Sequence, residues 1–246
     1  MRYLIFLGFI ALLLFLGFYF NSTTAQAIQT QNSTDNYSNS SISNSLTYNL
    51  KLPAVDSKDK GILADLELVV SPGEGKVYTR IDGDNPLVNT DTQNSMKRAV
   101  TMARTYTQIK DKDLYFSMNS GSDVVGGVSA GAAFTIMSIA ALKGDTLRND
   151  TLITGSIEVD GSIGPVGKVL EKAGAVKKAG YTRFLVPKGE GVATEDNTSC
   201  VSKDFGNGFY QTCSSTPVEI NIQNLTGLQI IEVNNFTQAY DLMILK

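Results

Sequence analysis

Residues 126–133 read GGVSAGAA, and residues 154–180 read TGSIEVDGSIGPVGKVLEKAGAVKKAG. Ser129 in the first stretch is followed 43 positions later by Lys172 in the second. The chain of 246 residues contains no histidine. No imidazole is therefore present to activate a serine, and no metal site can use His ligands. A lysine in apolar surroundings is the best remaining base for a nucleophilic serine.

Gly126 and Gly127 allow a tight turn before Ser129, and residues 129–143 (SAGAAFTIMSIAALK) predict a strongly apolar helix ended by Gly144. A serine at the start of that helix sits at its positive end. The backbone N–H groups of Ser129 and Ala130 are suited there to hold an oxyanion. The same place equally suits a plain N-cap serine. On the helix expected over residues 167–179, Val169, Ala173, Val176 and Gly180 share one face, and Lys172 falls within that stripe. Glu171 and Lys178 point the other way. Burial disfavours the charged amine and lowers a lysine pKa by up to roughly 3–5 units, and about three would bring it near neutrality. A lysine that snorkels from the edge of the stripe fits the same pattern. Local sequence leaves both pairs of readings open.

Together the two stretches resemble the proteolytic domain of the Lon proteases, which are Ser-Lys dyad peptidases. The likeness runs without a gap over residues 121–187 and more loosely from residue 61 onward. The resemblance implies that Ser129, in the G-x-S-A-G run, is the nucleophile. It implies that Lys172, in Pro165-x-Gly167-x-x-x-x-Lys172, is the general base. Thr154 of TGSI matches the threonine of the family's T-G-E-I run, which helps to hold the lysine. The implied fold is α+β, of the kind seen in the second domain of ribosomal protein S5. The chain departs from the family at Gly126 (usually acidic), Val128 (usually Pro), Tyr115-Phe116-Ser117 (usually a His-rich strand) and Ser156 (usually Glu). No G-x-x-x-x-G-K-[ST] phosphate loop occurs in the sequence, so the ATPase module of full Lon proteases is not represented in it. The chain as a whole resembles stand-alone, exported Lon-like serine proteases of archaea. No cofactor is expected, and self-assembly is left open by the resemblance.

Around these stretches the element order is mixed. Strands are expected at 61–71 (GILADLELVVS) and 76–81 (KVYTRI), joined as a hairpin through Pro72-Gly73-Glu74-Gly75. An amphipathic helix is expected over 90–108, with Met96, Ala99, Met102 and Ala103 on one side. Further strands are expected at 113–118, 151–159, 163–166, 183–186 and 228–233, and a last helix at 236–245. Residues 188–217 are polar and carry the only two cysteines. The pattern predicts an α+β domain with helices on one side of a sheet.

The N-terminal part reads differently. Residues 3–20 are uninterruptedly apolar after Arg2, long enough to span a bilayer, yet Ala25-Gln26-Ala27 reads as a cleavage site. Residues 1–27 are therefore expected to be a signal peptide or a membrane anchor, with the remainder exported in both cases. Between Asn21 and Asn49, 21 of 29 residues are Asn, Ser, Thr or Gln, too polar to offset the entropy of ordering. This gives an expected division into leader (1–27), disordered spacer (28–57) and proteolytic domain (58–246).

Asn-x-Ser/Thr acceptors at Asn21, Asn32, Asn36, Asn39, Asn149, Asn197, Asn224 and Asn235 suit a glycosylated surface protein, though Asn/Ser/Thr-rich sequence also makes such triplets by chance. Cys200 and Cys213 are expected to form a disulfide closing a small loop near the active-site rim. Two thiolates without His cannot fill a tetrahedral metal site. A net charge of −3 gives no electrostatic footprint for nucleic acid.

The leading expectation is an ATP-independent serine endopeptidase acting on unfolded or flexible polypeptide outside the cytoplasm. Two others stand beside it: a non-catalytic surface glycoprotein with the same fold, and a small-molecule kinase of the galactokinase or mevalonate kinase type, whose phosphate loop resembles GGVSAGAA.

Overall fold

The computed structural model describes residues 45–80, 87–120, 124–204, 206 and 208–245. The expected leader, the first part of the spacer and the four sequons before residue 40 lie outside the described residues.

Regular structure begins earlier than the expected boundary at residue 58. Leu46–Val55 forms strand β1, paired antiparallel along its whole length with β2 (Gly61–Pro72). Leu50 and Leu52 alternate into the core, and that alternation outweighs the polar composition around it. The turn between the strands is closed by Asp56, whose carboxylate accepts the N–H groups of Lys58 at 2.8 Å and Lys60 at 2.9 Å. Among the described residues, no helix is long and apolar enough to cross a membrane.

The expected hairpin between residues 61–71 and 76–81 does not form. Strand β3 (Val77–Thr79) runs parallel to β5 (Lys112–Asn119), and β5 occupies the second edge of β2, giving the order β1-β2-β5-β3. Asp113 at the start of β5 holds the 72–76 loop to itself, accepting from Glu74 N at 3.0 Å and Lys76 N at 2.7 Å. The chain thus crosses over β5 instead of folding back on β2. Two-residue strands β4 (Leu87–Val88) and β6 (Val124–Val125) pair parallel, with helix α1 (Thr90–Thr107) following β4. Asn89 caps α1, accepting from Thr92 N, and the face with Met96, Ala99, Val100 and Ala103 is buried.

Helix α2 (Gly131–Lys143) is buried from its first residue to Leu142, as an all-round apolar helix must be. It packs against α1, β1 and β2, and its C-terminal Gly144 adopts φ 81° as expected for a left-handed cap. Strand β7 (Thr151–Ile153) follows, then the short pair β8 (Ser156–Ile157) and β9 (Ile163–Gly164). Helix α3 (Val169–Lys178) leads into β10 (Arg183–Pro187). β10 is the centre of a second, parallel sheet, flanked by β7 and by β13 (Gln229–Val233). The single sheet expected is therefore two principal sheets, and the α+β class holds.

The polar segment 188–217 is not irregular. Strands β11 (Val192–Asp204) and β12 (Phe209–Asn221) form a long antiparallel ribbon in which Cys200 faces Cys213, and the two are disulfide-bonded. Nearly every ribbon side chain is exposed. Helices α4 (Ile222–Thr226) and α5 (Phe236–Met243) complete the chain, α5 packing on α2.

Candidate active site

Ser129 lies in the turn that delivers the chain into α2, and it is not the cap of that helix. The N-cap is Ala130, and no side-chain hydrogen bond caps the helix. The turn is instead held from outside: Thr92 Oγ1 of α1 donates to Gly127 O at 3.0 Å, and Ser95 Oγ donates to Val128 O at 3.3 Å. Gly127 has φ 104°, a left-handed geometry that favours glycine. Gly131 permits the closest approach, since a Cβ there would stand 2.7 Å from Ile157 N and 2.8 Å from Ser95 Oγ. Among the described residues, the N–H groups of Ser129 and Ala130 meet no acceptor, and neither does the Ser129 hydroxyl meet a hydrogen-bond partner.

Lys172 comes from the first turn of α3. Its stripe is buried as the helical period requires, with Val169, Lys172, Ala173 and Val176 turned inward, and Lys172 is only 3% exposed. Burial lowers its pKa to about 8, against the opposing pull of the Glu190 and Glu171 carboxylates. It does not snorkel. The start of α3 is irregular: Lys168, with φ 62°, is the N-cap, and no side chain caps the helix. The helix thus opens two residues later than the expected 167.

Thr154 joins the two parts. Lys172 Nζ donates to Thr154 Oγ1 at 3.4 Å, and Thr154 Oγ1 donates to the carbonyl oxygen of Ser129 at 3.3 Å. The backbone reinforces this, with Gly155 N donating to Ser129 O at 2.9 Å and Ala132 N donating to Gly155 O at 3.0 Å. Thr154 N in turn donates to Leu185 O of β10. The Lys172 side chain is therefore tied to the backbone of Ser129 through a fully buried threonine, with no hydrogen bond directly between Ser129 Oγ and Lys172 Nζ. A free hydroxyl, a buried amine of lowered basicity and two unengaged N–H groups are the parts that acyl transfer requires.

A cavity of about 320 Å³ opens beside the serine turn, lined by Asp91, Ser95, Arg98, Val128, Ile157 and Pro165. Ser156, at a position where a glutamate was expected from the resemblance, hydrogen-bonds Glu158 at 2.8 Å, so a carboxylate still reaches this edge. Tyr115, in the strand without histidines, stacks on Tyr78 with ring centres 4.6 Å apart. The disulfide lies out along the ribbon, and only the ribbon's root (residues 192–195) borders a second cavity, of about 380 Å³, at the start of α3. Among the described residues, no group of three or more His, Cys, Asp or Glu is gathered to hold a metal ion.

One residue beside the site gave no signal in the sequence. Glu190 follows β10 and accepts the backbone N–H of Val166 at 2.9 Å with one oxygen, while the other is buried without a hydrogen-bond partner. Thr92 and Ser95 were equally silent, because their role depends on how α1 crosses the serine turn.

The Lon protease of Phenylobacterium zucineum is 32% identical over 130 residues, 52% of this chain and 16% of its own length. Lon protease 1 of Thermus thermophilus is 30% identical over 153 residues, 59% of this chain and 19% of its own length. The archaeal Lon protease of Methanocaldococcus jannaschii is 32% identical over 80 residues, 32% of this chain and 12% of its own length. The chain thus spans less than a fifth of these curated relatives. The model of the Lon protease (S16) C-terminal proteolytic domain matches residues 64–208, which take in the serine turn, the threonine and the lysine helix. With more than half of its length matched by that model, this chain belongs to the Lon protease proteolytic-domain family.

Proposed function

We propose that this protein is a serine endopeptidase in which Ser129 is the nucleophile and Lys172 the general base. The observation that carries the reading is the buried Lys172 amine, bonded through Thr154 to the carbonyl of Ser129. With a pKa of about 8, a useful fraction of the amine is neutral near pH 7–8. Lys172 Nζ takes the proton of Ser129 Oγ as the oxygen bonds to the carbonyl carbon of the scissile peptide. The N–H groups of Ser129 and Ala130 receive the oxyanion. The resulting ammonium returns its proton to the leaving amine as the C–N bond breaks, leaving an acyl-serine. Water then attacks the ester, giving a proton to Lys172, and release of the carboxylic product restores Ser129 Oγ–H.

The substrate class proposed is unfolded or flexible polypeptide, taken up without ATP. The site of action proposed is outside the cytoplasm, with residues 1–27 as a cleaved leader or an anchor. The apolar run 3–20 and the Cys200–Cys213 disulfide support this. Of the candidate glycan acceptors, Asn149, Asn197, Asn224 and Asn235 are exposed. Assembly of several copies belongs to the same proposal, as does the finer likeness to ribosomal protein S5, supported by the mixed element order around a buried helix.

The test is a serine-directed fluorophosphonate probe on the purified protein, followed by peptide mapping. Labelling at Ser129, with peptide cleavage unaffected by chelator or by omission of ATP, is the expected result. An unlabelled Ser129 and no cleavage would favour a non-catalytic surface protein.

A further inference from the structure

Glu190 occupies an unusual position. It ends the turn that follows β10, donating its own N–H to Pro187 O at 3.1 Å, with Gly189 at φ 84°. One of its oxygens accepts from Val166 N at 2.9 Å, in the segment that leads into α3. That helix has no side-chain cap and starts from a left-handed Lys168, so its approach is held by the Glu190 clamp on Val166 N and by the ion pair of Lys168 with Asp59 at 2.9 Å. The positive end of α3 is a favourable place for the carboxylate. The second oxygen is buried with no hydrogen-bond partner. A buried carboxylate oxygen left unpaired is costly, and a nearby cation is what offsets it.

Lys172 is the cation whose charge acts on Glu190, and no direct ion pair joins the two. The charge of Glu190 opposes the loss of the Lys172 proton, and the charge of Lys172 in turn favours ionised Glu190. Burial acts the other way on both groups, raising Glu190 and lowering Lys172. The other carboxylate acting on Lys172 is Glu171, its neighbour on α3, whereas Glu190 comes from a separate element. Thr154, on the serine side, contributes no charge.

We propose that Glu190 is a positioning residue for Lys172, fastening the backbone that opens α3 with one carboxylate oxygen while the other sets a negative charge against the ammonium form. The proposal rests on the assignment of Lys172 as the base and names the group that tunes it. Glu190 does not touch the reacting atoms. It fixes where the amine stands and the acidity at which the amine becomes able to accept a proton.

Glu190→Gln separates the two roles, because the amide oxygen still accepts from Val166 N but carries no charge. In Ser129→Ala protein, where no turnover occurs, the Lys172 amine is titrated by NMR of isotopically labelled lysine, assigned by its loss in Lys172→Ala. Adding Glu190→Gln to that protein should move the Lys172 midpoint down by about one unit. In the active protein the same change should shift the rise of kcat/KM with pH downward by a similar amount, with kcat at high pH within about twofold. Glu190→Ala should cut kcat about tenfold or more, through the displaced helix start, and Glu190→Gln should restore it. An unmoved Lys172 midpoint in Glu190→Gln would overturn the proposal. Retained cleavage in Ser129→Ala would instead overturn the assignment of the nucleophile, while the lysine titration still reports on Glu190.

Discussion

Thr154 Oγ1 stands between Lys172 and Ser129, accepting from the lysine amine at 3.4 Å and donating to the serine carbonyl at 3.3 Å. One hydroxyl thereby links the proposed base to the backbone that carries the proposed nucleophile. Thr154→Ser should keep this geometry and most of the activity. Thr154→Val, similar in shape but without the hydroxyl, should lower kcat about 10- to 100-fold with little change in KM, since a misplaced catalytic group costs rate more than affinity. Steady-state kinetics on a fluorogenic peptide reads both.

Ser129→Ala and Lys172→Ala should each reduce cleavage by at least about a thousandfold, and the double variant should be no worse, because groups that act as a unit are non-additive. Lys172→Arg should fail equally, since a guanidinium stays protonated. Normal turnover in Lys172→Arg would remove the lysine from the mechanism.

The buried amine carries a stability cost that depends on pH. Its folded-state pKa, about 8, lies below the ordinary lysine value of 10.5, so between these values the unfolded chain binds the proton and the folded one does not. Stability therefore rises with pH across that window, by up to about 3 kcal/mol. Lys172→Met, which buries no charge, should be more stable than the wild type at pH 7. That advantage should shrink as the pH passes from 8 towards 10.5. Urea unfolding at several pH values measures it, and a constant difference would contradict the burial argument.

The serine and lysine were visible in the sequence for reasons that are local. Lys172 falls in the apolar stripe with Val169, Ala173 and Val176, so a helical period marks it as a candidate, and the packing of α3 decides that it is buried and does not snorkel. Ser129 was marked by its glycines, but whether it capped the helix depended on a one-residue shift that made Ala130 the cap. The tie through Thr154 required β7 to lie beside β10, a parallel pairing that no local pattern encodes. Strand β1 was hidden by Asn- and Ser-rich flanks, although Leu50 and Leu52 alternate. The β11–β12 ribbon was hidden for a different reason. Both its faces are exposed, so it has no apolar alternation to betray it. Glu190, between Gly189 and Gly191, carries no local mark because the N–H that its carboxylate accepts comes from Val166, in another segment.

The disulfide should appear as no free thiol in the non-reduced protein when alkylated under denaturing conditions. A pair of strands exposed on both faces is marginal by itself, and the covalent link offsets that weakness. Reduction, or Cys200→Ser with Cys213→Ser, should accelerate proteolytic nicking within residues 192–221. The thermal transition of the rest should move by no more than a few degrees, because the ribbon adds little to the core. A large drop in the main transition would show that the ribbon supports the whole domain.

Because Cys200 and Cys213 lie directly opposite one another, the covalent crossbar divides the ribbon into two lengths with separate duties. The inner length borders the cavity at the start of α3, whereas the described residues of the outer length, between Val201 and Thr212, make no contribution to the buried core. The side chains described there pack on no part of the core, so an insertion at the outer end should leave the core intact. The connection between Asp204 and Phe209 is thus the natural graft point for an affinity epitope or a folded cargo. Such a chimaera should carry its passenger on the far side of the crossbar from the ribbon's root and keep the peptide cleavage proposed for Ser129.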